Sequence, residues 1–154
     1  MGAKPSERLT DLGLSLPPPP SPAGTYSPVL VHDGWILVSG QIVTRAGKAV
    51  HPGRVGAEVD PEVAKQLAQD CVLQALSWMA SALGSIDQIG RVLRVAVYVA
   101  SAPGFDRTHE VANGATDLLV SLFGEAGRPA RVAMGVQVLP LNAPVEVELM
   151  AAVA

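Results

Sequence analysis

From Pro129 to its C-terminus the chain carries only three charged side chains, Arg131, Glu146 and Glu148, set in stretches whose other residues are almost all apolar or small. Charge alternates there with apolar residues at a period of two, as in strands with one buried face. Val132–Val138 and Val145–Ala151 are predicted strands. Between them, Leu139-Pro140-Leu141-Asn142-Ala143-Pro144 holds two prolines that cannot extend a ladder, so an antiparallel hairpin is expected. One face would then carry Val132, Met134, Val136, Val138, Val145, Val147 and Leu149, apolar enough to lie under helices. With Val138 opposite Val145, the other face collects Arg131, Ala133, Gly135, Gln137, Glu146 and Glu148. In that register Glu146 lies opposite Gln137, and six residues separate it from Arg131, roughly 20 Å along the strand. The two cannot pair directly. Each needs a group from another strand, a ligand or a neighbouring subunit if it is buried. The alternative is a solvated face, with Arg131 capping a strand at its edge.

At 154 residues the chain suits one domain that buries about 70% of its extended surface. Aromatic residues make up 4%, so the core must be built from Val, Leu and Ala. The net charge is −3, the pI is near 5.5, and the 11 Lys and Arg residues form no cluster, which argues against nucleic acid as a partner. Cys71 is the single cysteine and falls in a helical apolar pattern, which predicts a buried, inert thiol. His32, His51 and His109 are scattered without ligand spacing, so no metal and no cofactor are expected. No segment has the length and apolarity of a signal peptide or a membrane span, which predicts a cytoplasmic protein without a membrane partner.

Residues 1–27 include Pro17-Pro18-Pro19-Pro20, Pro22 and Gly24, and read as an N-terminal arm that favours extended polyproline geometry over helix, leading into a domain at 28–154. Val29–His32 and Trp35–Ser39 flank Asp33-Gly34, a two-residue hairpin turn. A glycine-punctuated loop (Gly40, Gly47, Gly53, Gly56) follows. Asp60-Pro61 gives a cap and a first-turn proline, after which Val63, Leu67, Cys71 and Ala75, with Ala64, Ala68, Val72 and Met79, recur at helical spacing until Gly84. Ile89–Ala100 is Val-rich and reads as a strand. A second helix spans about Asp106 to Phe123, ending at Gly124. The expected order is hairpin, helix, strand, helix, hairpin, an α+β layer with two helices on one face of a mixed sheet. The other face must be covered, and self-association could cover it. Neither a phosphate-binding glycine loop nor a G-x-S-x-G elbow is present.

Taken in order, Gly24-Thr25-Tyr26, Ser39-Gly40-Gln41-Ile42, Asn113, Pro129-Ala130-Arg131 and Val145-Glu146-Val147-Glu148 resemble the motifs of the Rid (reactive intermediate deaminase, YjgF) family. The resemblance spans nearly everything from Tyr26 to Val153. It implies a chorismate-mutase-like α+β fold and a homotrimer with ligand clefts between subunits. It also implies hydrolysis of reactive 2-imino and enamine acids to 2-oxo acids and ammonia, without a cofactor. Arg131 matches the family arginine that grips the substrate carboxylate, a task suited to a planar bidentate donor. Glu146 matches the acid near the attacking water, with Glu148 as the reserve candidate on the same face. Tyr26, Gly40 and Asn113 match positions that line the cleft. A protonated imine is already electrophilic, so such a site needs only to orient it and deliver water. The chain departs from the family's pattern at Ala133, where a cysteine often stands two residues after the arginine, and in its greater length. It resembles a longer branch.

A second reading of the same residues is a non-catalytic trimer that binds a small carboxylate or acts as a regulator. RNA cleavage, which older names in the family mention, is disfavoured by the acidic pI and the lack of a basic stripe.

Overall fold

The computed structural model describes residues 2–22 and 24–154. Its elements are α1 (Pro5–Asp11), β1 (Val29–His32), β2 (Trp35–Gln41), β3 (Thr44–Arg45), β4 (Lys48–Ala49), α2 (Pro61–Leu83), β5 (Ile89–Ala100), α3 (Thr108–Phe123), β6 (Ala130–Val136) and β7 (Val145–Val153). Five strands form one sheet in the order β1-β2-β7-β5-β6. β5 and β6 run parallel, and the other neighbours run antiparallel. β3 and β4 form a small separate ribbon within the region predicted as loop. The Asp33-Gly34 hairpin forms as expected, with both turn residues at positive φ.

α2 begins where the sequence indicates. The Asp60 side chain accepts a hydrogen bond from the Glu62 N–H, Pro61 occupies the first turn, and Gly84 closes the helix in the left-handed conformation. Its stripe of Ala64, Leu67, Ala68, Cys71, Val72, Ala75 and Met79 is buried against the sheet and α3. At Gly114 a Cβ would stand 2.0 Å from the Lys65 carbonyl oxygen, so the glycine lets α2 and α3 approach closely. α3 starts at Thr108, two residues later than expected, and ends at Phe123. Among the described residues, no helix is long and apolar enough to cross a membrane.

The C-terminal hairpin does not form. β5 lies between β6 and β7, pairing parallel with the first and antiparallel with the second. β5 is apolar on both faces, with Val92, Val95, Ala96, Val97, Val99 and Ala100 all buried, and such a strand belongs at the centre of a sheet. The run β5-α3-β6 is a strand-helix-strand crossover, which delivers its second strand parallel to the first. The loop after β6 then passes over β5, and its two prolines leave the sheet rather than turn within it. The predicted faces change accordingly. Val145, Val147 and Leu149 lie under the helices as expected. On β6, however, Arg131 pairs with buried Val95, on the helix-facing side. Met134 pairs with Tyr98, on the face that also carries Glu146 and Glu148.

The N-terminal segment also differs from the extended reading, because residues 5–11 are helical. Seven residues make a helix too short to persist alone, and tertiary contacts hold it. The Ser6 hydroxyl donates to Asp87 at 2.7 Å, the Arg8 guanidinium donates to the Leu122 carbonyl at 3.1 Å, and Leu9 is buried. The proline run follows without regular structure, tied down where the Ser77 hydroxyl donates to the Pro17 carbonyl.

Candidate functional site

The site residues nominated by the sequence fall into two groups. The first gathers where β2 ends against β7. The register between these strands slips between Val38 and Gln41, so β2 bends away from the sheet at Ser39-Gly40. The Gln41 amide donates to the Ser39 carbonyl at 2.8 Å, and the Ser39 hydroxyl donates to the Ser27 carbonyl at 2.8 Å, which fixes the bend against the segment carrying Tyr26. Glu146 leans into the space that Gly40 leaves open. A Cβ on Gly40 would lie only 1.8 Å from Glu146 Oε1, so this close approach requires glycine. Tyr26, Ser39, Gly40, Ile42, Pro140 and Glu146 together line a cavity of about 460 Å³.

Glu146 is half-buried, and among the described residues no donor hydrogen-bonds its carboxylate. Burial, and then the like charge of Glu148, push its carboxyl above the ordinary range. A carboxyl raised in this way is, once ionised, a stronger base than an ordinary carboxylate. Glu148 lies two residues on along the same strand face but is engaged by Arg94, with Nη1 to Oε1 at 2.6 Å. That ion pair leaves Glu146 as the available base.

The second group is at the opposite margin of the sheet. Arg131 lies on the edge strand β6 and is exposed. Its Nη1 donates to Asn113 Oδ1 at 2.8 Å and to Thr116 Oγ1 at 3.1 Å, both on α3. Asn113, mid-helix, thus holds the guanidinium by a neutral contact. Among the described residues no carboxylate pairs with Arg131, so it keeps its full charge for an incoming anion. Thr116 was not nominated from the sequence. The usable signal was its spacing, three residues after Asn113 and therefore on the same helical face.

The structure therefore brings Tyr26, Gly40 and Glu146 together, and Asn113 together with Arg131, but keeps the two groups apart. β5 lies between their strands, and Arg131 and Glu146 pair with Val95 and Tyr98, three residues apart along it. Their Cα atoms are roughly 14 Å apart by strand geometry, on opposite faces of the sheet.

Residues 18–153 match the family model for endoribonuclease L-PSP. The chain belongs to this family, part of the YjgF/Rid superfamily. Membership accords with the resemblance carried by the Ser39-Gly40-Gln41 and Pro129-Ala130-Arg131 motifs. Among L-PSP relatives, the chain is 39% identical to Protein TCP17 of Trypanosoma cruzi, covering 92% of this chain and 89% of that protein. It superposes on the Agrobacterium tumefaciens protein Atu1372, whose function is unknown, with a TM-score of 0.86 at 36% identity, covering 97% of this chain and 91% of the other. A proposed endoribonuclease from Shewanella oneidensis superposes with a TM-score of 0.92 at 29% identity, covering 97% and 99%. The L-PSP fold, a mixed α+β sheet layered with helices, is thus shared over nearly the whole chain.

Proposed function

We propose that this protein hydrolyses reactive 2-imino and enamine acids to 2-oxo acids and ammonia, in clefts between the subunits of a homotrimer. The observation that carries this reading is the division of the site. A base-like carboxylate in a cavity and a charge-free-to-bind guanidinium lie on opposite faces of one subunit, too far apart to grip one small molecule. A second copy, set so that its β6 edge covers the cavity, supplies the arginine that the first copy cannot.

In that cleft Arg131 of one copy holds the substrate carboxylate and Glu146 of the other orients a water against the imine carbon. The water oxygen bonds to that carbon as the C=N π pair moves to nitrogen, and Glu146 accepts the water proton. The resulting carbinolamine collapses: the proton passes from Glu146 to the nitrogen, the C–N bond breaks as a hydroxyl-oxygen pair forms the C=O bond, Glu146 takes up the hydroxyl proton and passes it to solvent, and ammonia and the 2-oxo acid leave. No side-chain nucleophile is needed, consistent with Ala133 at the position where a cysteine often stands.

The test is to generate short-chain 2-imino acids in situ with an amino acid oxidase and follow their decay. Wild type should accelerate decay. Arg131→Ala should abolish the acceleration with the oligomer intact by sedimentation, and full turnover in that variant overturns the mechanism. The Arg131 guanidinium, which no carboxylate pairs with among the described residues, equally suits a second reading, a trimer that binds a small carboxylate without turnover. Carboxylate binding without ammonia release would establish it.

A further inference from the structure

A second cavity, of about 330 Å³, adjoins the Glu146 cavity and shares Tyr26, Gly40 and Ile42 with it. Its remaining walls include Pro20 and Pro22 of the N-terminal segment, Gln74 and Trp78 of α2, and Leu141 of the loop before β7, with the Ser21 and Thr44 hydroxyls among them. No charged side chain lines it. Of the amides that line it, Gln74 donates to the Ile42 carbonyl at 2.9 Å and Gln41 to the Ser39 carbonyl at 2.8 Å, which holds both side chains against the wall. What remains facing the space is chiefly proline rings, an indole, a phenol ring and aliphatic carbon.

Leu141 adds an independent observation. It holds a left-handed backbone, φ 56°, which costs a non-glycine residue free energy and persists only where the surroundings enforce it. Its side chain is largely exposed, so core packing does not account for the leucine. The same loop places Pro140 on the Glu146 cavity and Leu141 on its neighbour.

We infer that this second cavity is the side-chain pocket of the site, and that it selects 2-imino acids whose side chain is bulky and uncharged, aromatic or branched aliphatic. The inference rests on the carboxylate-binding reading of Arg131 and Glu146. The volume lies near the lower end of small-ligand pockets, and a largely apolar lining without a cationic side chain offers nothing to balance a second carboxylate. The N-terminal segment thereby becomes a specificity element, because its prolines wall the pocket without needing a ladder partner.

Calorimetric titration of the full-length protein with pyruvate, 2-oxobutanoate, 4-methyl-2-oxopentanoate and phenylpyruvate, stable 2-oxo acid products that mimic the imino acid substrates, tests this apart from turnover. Phenylpyruvate is expected to bind at least about tenfold more tightly than pyruvate, as burial of a large apolar group predicts. In Trp78→Ala that ratio should fall towards one. Because Trp78 packs against the core, Leu141→Gly is the companion variant: glycine suits the left-handed backbone, and the same loss of ratio is expected in a stably folded protein. Equal affinity across the series, or an unchanged ratio in Leu141→Gly, overturns the pocket even where imine hydrolysis is observed. Preferential phenylpyruvate binding without imine hydrolysis upholds the pocket and overturns the deaminase reading. Failure to bind any 2-oxo acid overturns the pocket.

Discussion

The two halves of the proposed site are built in opposite ways. Around Glu146 the chain removes things: the side chain at position 40, part of the carboxylate's exposure, and every hydrogen-bond donor among the described residues. Around Arg131 it adds them: two neutral oxygens from one face of α3, with solvent left in place. The difference follows from what each group must do. A carboxylate becomes a stronger proton acceptor when its surroundings raise its pKa, and around Glu146 half-burial does most of this, with the like charge of Glu148 adding to it. A guanidinium is charged in any surroundings, so it needs only to be aimed. In the proposed homotrimer, burying the base and exposing the cation gives each subunit half of a cleft.

The largest effect should come from refilling the space beneath Glu146. Gly40→Val places carbon where the carboxylate now lies, and about a 100-fold loss of imine hydrolysis is expected, comparable to misplacing a reacting group by about 1 Å. The thermal midpoint should fall by only a few degrees, since the displaced atoms are the tip of a flexible side chain. Retained turnover would mean that Glu146 is not the base.

A second way to sharpen the contrast is pH. Glu146 binds its proton more tightly in the folded chain than in the unfolded one, because its folded pKa is raised. Its contribution to stability is therefore fully present below the ordinary carboxylate range and is lost as pH rises through the raised value. Over that same rise the base form appears and the hydrolysis rate should climb. Glu148→Gln removes the like charge and frees the Arg94 cation beside the site, so the midpoint of the rate profile should move to lower pH. A profile that does not move assigns the midpoint to another group.

The smallest effect belongs to the exposed half. Thr116→Val removes one of the two bonds that aim Arg131. A loss of about 1 kcal/mol should raise KM about fivefold, with kcat little changed. If steady-state kinetics instead show kcat falling and KM constant, Arg131 acts on the reacting centre rather than on the carboxylate.

Much of this was legible in the residues. Asp60-Pro61 and Gly84 bound α2 because capping is local chemistry, satisfied within a turn of the chain. Asp33-Gly34 set the first hairpin for the same reason, and the alternation Val145-Glu146-Val147-Glu148 correctly separated the buried face of β7 from the face that carries the glutamates. The side of the sheet occupied by Arg131 was not legible. A period of two says that neighbours alternate, but not which set faces the helices, and a partner strand drawn from the wrong place inverts the answer. The signal for the true pairing lay in Ile89–Ala100, apolar on both faces and followed by a helix and then a strand. The helix at Pro5–Asp11 did carry a local signal, Pro5 in the first turn and Glu7 accepting from the Lys4 N–H, but a helix this short is held by distant partners, with Ser6 and Arg8 bonded to residues some eighty to more than a hundred positions away.

By itself the sequence determined the elements, their ends and the residue types the chemistry needs, since turns, caps and periodicity are set by neighbours a few positions apart. Only the tertiary structure decided that β5 divides β6 from β7, that Gly40 makes room for Glu146, and that Arg131 and Glu146 look out from opposite faces. Those outcomes depend on which apolar surfaces bury each other across the whole chain, a competition in which a residue's sequence neighbours have little say.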